Sequence, residues 1–323
     1  MRTGIFTEQG VIGCYEVDMP KKTQSEILVR TLRSSICGSD LHVGYYGWGV
    51  DEFPLPPGFP GHESVCEVVD GEGVNYVENQ LVLAVPIISD ARSFSEYQVI
   101  PRSQLLKLDE NISINEVLMA QQLGTVIFAV RKLPQLVGRS VVIIGQGSAG
   151  LFHTFMCRRL NAGKIIAIEP VSLRCEISKE LGADIVVNSK DEYAKKEVMD
   201  ITDGIGSDVV IDAVGSVETL NQAIEIAKPN GDILLFGLPT TEAKVLFDWS
   251  TMFKKNLNIK AIHGSQNEKG LPDFKLACEM IMKKEIDVSD FVTHVFDVEE
   301  IQKAFDLVEN KQDGVIKAAI RFD

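Results

Sequence analysis

Paired cysteines, basic residues and long apolar runs are all scarce in this sequence, and each scarcity removes a class of protein. The six cysteines, Cys14, Cys37, Cys66, Cys157, Cys175 and Cys278, are scattered over 323 residues without a CxxC pair. That excludes a disulfide framework and a self-contained zinc ribbon. Lysine and arginine total 32 against 46 aspartates and glutamates, a formal net charge of -14. A nucleic-acid partner is therefore not expected, because a phosphate backbone demands a concentrated basic surface. No apolar run approaches the roughly 18 residues of a membrane-crossing helix, and residues 1–8 lack the apolar core of a signal peptide. No membrane partner is expected, and the cytoplasm is the default compartment. There is no internal repeat and no low-complexity tract.

The composition is that of an ordinary globular chain, 45% hydrophobic and 24% charged, and its length favours two domains. From residue 140 onward, short β-branched runs at 141–144, 165–168, 185–187, 209–211 and 233–236 alternate with helical spacing, as at 173–181 and 217–227. This is the βαβ rhythm of a parallel sheet. A sixth strand at 259–262 would lie at the sheet edge, free to pair with a second subunit. The first 120 residues differ, with Gly/Pro clusters at 44–61 and strand-like stretches at 26–31 and 65–69, and read as an irregular β-rich domain. The tail, with helical patterns at 274–284 and 298–309 and a strand at 315–320, is expected to return to that domain. The expected division is 1–121 plus 263–323 for one domain and 122–262 for the other.

Directly after the run 141–144 comes Gly145-Gln146-Gly147-Ser148-Ala149-Gly150. In a strand–turn–helix context this GxGxxG fits a dinucleotide: the first glycine makes the turn, the second admits a pyrophosphate, the third packs helix on strand, and the helix N-terminus supplies N–H groups. Glu169 ends the next strand, where a carboxylate can accept from ribose hydroxyls and disfavour a 2'-phosphate. NAD is thus expected over NADP, although Arg174 lies near enough in sequence to blur the preference. Gly215 and Gly237 are further candidate cofactor contacts.

The first domain carries Cys37-Gly38-Ser39-Asp40-Leu41-His42 and, further on, Gly61-His62-Glu63. A thiolate and an imidazole suit zinc, and a catalytic zinc needs three protein ligands with one position open. The other five cysteines sit among apolar neighbours and read as core thiols. With GHE after CGSDxH, and GxGxxG after both, the whole chain resembles the zinc-containing medium-chain dehydrogenases, nearest their sorbitol, sugar and threonine dehydrogenase branch. The resemblance implies an α/β fold, a Rossmann doubly wound parallel sheet inserted in a GroES-like β-rich catalytic domain. It implies a zinc-dependent, NAD-linked alcohol or polyol dehydrogenase. Cys37 and His62 would bind the metal with Glu63 beside it, Ser39 would take the substrate proton, His42 would be the next relay member, and Asp40 would orient the His62 imidazole.

Two departures stand out. Residues 80–96 lack the four cysteines that hold a structural zinc in the family, so only the catalytic zinc is expected, with a compact loop at 90–95. Where the family places its third ligand, the sequence reads Ala120-Gln121-Gln122-Leu123-Gly124, making Gln121 a neutral candidate ligand. The implied substrate is a small neutral secondary alcohol: a polyol, sugar or cyclitol. Tyr45, Tyr46 and Trp48 are candidates for its pocket wall or for a surface or subunit contact. His153, His263, His294 and Lys317 read as ordinary residues, and a homodimer or homotetramer is expected. The rival readings are a zinc-free quinone or enone reductase of the same superfamily and a non-catalytic NAD-binding protein.

Overall fold

A computed structural model describes residues 1–71, 76–189, 191–240 and 243–322. The chain divides into two compact units, 1–125 with 264–323, and 126–263.

In the first unit, β1 (Arg2–Glu8) and β2 (Val11–Glu16) form an antiparallel pair. They are followed by β3 (Glu26–Ser35), α1 (Gly38–Gly44), β4 (Glu63–Asp70), β5 (Leu81–Ala84), β6 (Tyr97–Pro101), β7 (Leu105–Lys107) and α2 (Ile114–Val130), within which the division falls. Alternation in β3 sends Ile27, Val29 and Thr31 inward while their neighbours stay half-exposed, as period-two patterning requires. Residues 85–96 pass from β5 to β6 through a short 3-10 turn at Ile88–Asp90, and Phe94 is buried against Phe305 with ring centroids 5.3 Å apart.

The second unit is the parallel sheet expected from the β-branched runs. It contains β8 (Ser140–Ile144), α3 (Ser148–Arg159), β9 (Lys164–Ile168), α4 (Ser172–Glu180), β10 (Ile185–Val187), α5 (Asp191–Ile201), β11 (Ser207–Asp212), α6 (Val217–Ile226), β12 (Ala227–Leu235), α7 (Trp249–Lys254) and β13 (Asn258–Ala261). The strands lie in the order β10-β9-β8-β11-β12-β13, all parallel. This is a doubly wound sheet whose direction of winding reverses between β8 and β11. Residues 141–144 are buried without alternation because both faces of the sheet are covered. β12 begins six residues earlier than its apolar run at 233–236, because Ala227 already pairs with Ser207 of β11 before a register break that spans 228–231, with Asn230 at φ 60°, and this stretch reads as a turn in the sequence.

After residue 263 the chain returns to the first unit as α8 (Pro272–Met282), β14 (Val292–Asp297), α9 (Ile301–Glu309) and β15 (Lys317–Arg321). Its mixed sheet runs β14-β15-β3-β4-β5-β7, parallel between β14 and β15 and antiparallel elsewhere, with β6 pairing on β3. The pattern at 298–309 is helical only from Ile301, its first turn being 3-10. Among the described residues, no helix is long and apolar enough to cross a membrane.

One buried titratable group in the second unit gives the fold a pH signature. His153 on α3 is fully buried, neither ring nitrogen has a hydrogen-bond partner, and the ring meets Phe236 edge-on at 4.7 Å. Burial pushes its pKa down to about 3, so the folded protein keeps it neutral while the unfolded chain protonates it near pH 6.5. Its contribution is complete above that value and is lost as pH falls toward the folded pKa. Between pH 6 and pH 5 the wild type should lose about 1 kcal/mol more stability than His153→Leu. Denaturant midpoints at the two pH values check this, and parallel losses would contradict it.

Candidate active site

The metal-suited residues of the first unit are brought together by strand register and one helix start. β3 ends at Ser35, and the Ile36 N–H donates to the Ala318 carbonyl at 2.9 Å. Cys37 stands just ahead of α1 in extended conformation, and its N–H donates to Asp40 Oδ2 at 2.8 Å. Cys-Gly-Ser-Asp thus does what a capping box does, the third helical residue reaching back to the cap. Across the sheet Ala319 faces Ser35, and Ser35 faces Glu63, so the ends of β3, β4 and β15 converge. Gly61 is required by packing: a Cβ there would lie 2.6 Å from Ser93 Oγ and 2.7 Å from a ring carbon of Phe94.

The Cys37 sulfur, a ring nitrogen of His62 and a carboxylate oxygen of Glu63 lie within 4.8 Å of one another, His62 and Glu63 buried and Cys37 half-buried. His62 Nδ1 faces the Pro60 carbonyl at 3.2 Å and Asp40 Oδ1 at 3.1 Å. Two acceptors there assign the proton to Nδ1 and leave Nε2 with its lone pair for an ion. Sulfur, imidazole and carboxylate at this spacing fit a zinc ion.

Glu63 has two partners of its own. Ser35 Oγ donates to its Oε2, and Lys317 Nζ lies 2.7 Å from the same oxygen, in an approach too oblique for an aligned hydrogen bond. Both ions are almost wholly buried, with 1% and 2% of their side-chain surface exposed. Burial alone would lift the Glu63 pKa, but Lys317, His62 and Ser35 more than offset it and hold it below the ordinary carboxylate value. Lys317, read from sequence as an ordinary residue, is therefore part of the centre. The available signal was a lone charge inside the apolar run 315–320, since a buried charge needs a partner.

In the second unit the glycine turn follows β8. Gly145 has φ 85°, and a Cβ on Gly150 would stand 1.9 Å from the Gly145 carbonyl oxygen, so both are demanded by the turn itself. Gly147 is different: a Cβ there meets nothing within 4 Å. Open space at the N-terminus of α3, with Ser148 and Ala149 forming its first turn, fits a pyrophosphate cradle. Glu169, at the end of β9, accepts from the Gln146 N–H at 2.7 Å and the Val171 N–H at 2.9 Å. These bonds fix the carboxylate beside the turn and leave other lone pairs for ribose. Gly215 (φ 87°) and Gly237 meet back to back, a Cβ on Gly237 falling 2.4 Å from the Gly215 nitrogen. Arg174 is half-buried on α4.

Comparison with known proteins agrees with this geometry. A family model described as a zinc-binding dehydrogenase matches residues 149–283. An L-threonine 3-dehydrogenase of Pyrococcus horikoshii is 28% identical, over 93% of each chain. An alcohol dehydrogenase of Cupriavidus necator is 26% identical, over 99% of this chain and 98% of its own. The solved zinc-dependent alcohol dehydrogenase 2 of Streptococcus pneumonia superposes with a TM-score of 0.86 at 26% identity, over 100% of this chain and 99% of that one. Over residues 149–283 the chain is similar to the zinc-binding dehydrogenases. Zinc and NAD(H) are the cofactors the family implies.

The remaining candidates fall into two groups. Gln121 is buried on α2, its amide nitrogen donating to the His62 backbone carbonyl at 3.4 Å. Ser39 is half-buried in the first turn of α1, and His42, one turn on, is buried with no hydrogen-bond partner at Nδ1. Burial holds His42 below its ordinary pKa. Tyr45 and Tyr46, by contrast, are committed to α9. Tyr45 Oη donates to Asp306 at 2.7 Å and Tyr46 Oη to Glu309 at 2.8 Å. Trp48 packs half-buried on the core of the first unit.

The two glycines of the turn separate folding from binding. Gly147→Ala should fold with wild-type stability and lose about tenfold or more in NAD affinity, because the new methyl group occupies the cradle. Gly150→Ala should lose stability as well, since its Cβ strikes backbone. Melting curves with and without NAD read both effects, and full NAD affinity in Gly147→Ala would refute the cradle.

Proposed function

We propose that this dehydrogenase oxidises a small secondary alcohol, of the polyol, sugar or cyclitol class, with NAD as hydride acceptor at a single catalytic zinc. The observation that carries the reading is the buried convergence of Cys37, His62 and Glu63 in a chain whose second unit carries a nucleotide turn with an acidic residue at the end of β9. Glu169, a like charge to a 2'-phosphate, supports NAD over NADP. Gln121 is the candidate fourth contact, and residues 80–96, without cysteines, support one zinc per chain.

When bound, zinc supplies Lewis acidity toward a hydroxyl and the nicotinamide supplies a place for hydride. Cys37 and His62 fix the donor set: the first is held by the Asp40 cap, the second by Asp40 and the Pro60 carbonyl. Ser39, two residues beyond Cys37, presents the hydroxyl that receives the substrate proton. His42 lies one helical turn further, neutral because it is buried, with Nδ1 free to accept that proton.

Assembly and compartment form part of the same reading. Among the described residues no strand pairs with the outer side of the edge strand β13, and Leu246, Trp249 and Phe253 nearby in sequence are 92%, 62% and 73% exposed. Together they suit a homodimer. Six free thiols suit the reducing cytoplasm.

Freshly purified protein should contain about one zinc per chain. It should also reduce NAD faster than NADP in a panel of polyols, sugars, cyclitols and L-threonine. Metal-free protein that reduces quinones or enones would favour the zinc-free rival, and NAD binding without turnover on any alcohol would favour a binding protein. Ser39→Ala should keep zinc and NAD affinity and lose about a hundredfold or more in kcat; undiminished kcat would remove Ser39 from the relay.

A further inference from the structure

We infer that Lys317 is a positioning residue that restrains Glu63, competing with the metal for its carboxylate and so limiting how fully Glu63 enters the coordination shell. The inference rests on the proposed metal site and adds a residue and a role to it.

Three observations carry it. First, Ser35 Oγ and Lys317 Nζ converge on one oxygen, Oε2, of Glu63, from the two strands β3 and β15 whose register brings them there. The carboxylate is therefore held from the sheet side while one of its oxygens lies within 4.8 Å of the Cys37 and His62 donors. Second, the Lys317 ammonium is buried and has no aligned hydrogen-bond acceptor of its own, so Glu63 is its principal partner. Third, a cation held among Cys37, His62 and Glu63 would meet the same carboxylate that Lys317 already engages, so the two positive charges would share one carboxylate. With Lys317 removed, the freed carboxylate has the ion as its strongest partner.

A lysine is suited to such a restraint. Its ammonium is a compact point charge on a flexible stem, so the pair can loosen without either ion leaving the buried centre. Glu63 then remains an available ligand whose entry is set by the balance between two cations. A lysine that served only to fill the space below the sheet would have no influence on the metal's ligand number.

The test uses purified full-length protein, stripped of metal and titrated with zinc against a chelator, then with cobalt(II) for its visible spectrum. Lys317→Met, of similar length and without charge, should bind zinc about tenfold more tightly than wild type. Its cobalt band should weaken, the mark of an added oxygen ligand. Lys317→Met combined with Glu63→Gln should lose that gain, and Lys317→Arg should keep the wild-type spectrum. If Lys317→Met does not fold, Ser35→Ala decides, because it removes the other donor to Oε2 and should shift affinity and spectrum in the same direction. Unchanged or weaker zinc binding with an unchanged cobalt spectrum, in whichever of these variants folds, overturns the inference while leaving the metal site intact. Wild-type protein that takes up neither ion overturns both.

Discussion

The structure depends most on the compensation of charge where β3, β4 and β15 end. Four ionisable side chains, Asp40, His62, Glu63 and Lys317, are buried there beside a half-buried thiol, and an isolated ion removed from water is expensive. Each is answered by a specific neighbour: His62 by Asp40, Glu63 by Lys317 and Ser35, Asp40 by the Cys37 N–H. The pairing is geometric, since Ser35 faces Glu63 on one side and Ala319 on the other. Sheet register thereby becomes a statement about electrostatics. A slip of one residue would turn these side chains to the opposite face and leave the charges without partners.

Much of the remaining structure supports that convergence. The Asp40 cap holds Cys37 at the start of α1, Phe94 and Ser93 pack under Gly61 ahead of His62, and Gln121 stands against the His62 carbonyl. Segment 85–96 thus lies against the glycine that precedes the imidazole. Tyr45 and Tyr46 extend the same logic to the far end of α1, tying the loop after it to α9 through Asp306 and Glu309. An aromatic cluster that could have lined a pocket is partly spent on fastening the helix that carries Ser39 and His42.

The parallel sheet was the most legible part of the sequence, because strands covered on both faces read as β-branched runs whatever lies around them. Only the opening of β12 escaped, where turn-forming residues at 228–231 fall in a register break between the Ala227–Ser207 and Asp232–Val209 pairs. Cys37, His62 and Glu63 were legible as motif residues, but their convergence was not, since it rests on strand pairings between residues far apart in the chain. Lys317 was missed for the same reason: its partner lies more than 250 residues away, and nothing local marks a buried lysine except the apolar run around it. Gly215 and Gly237 show the converse limit. Their glycine requirement is met by backbone pressing on backbone, which sequence cannot tell apart from a cofactor passing close.

The central claim is that folding places the Cys37 sulfur, the His62 imidazole and the Glu63 carboxylate around one divalent ion. Anomalous scattering recorded across the zinc edge, from crystals of protein purified without chelators, measures this directly. The account predicts one strong peak about 2.3 Å from Cys37 Sγ and about 2.1 Å from His62 Nε2. A peak elsewhere in the chain, or no peak in protein that still oxidises an alcohol with NAD, would contradict it.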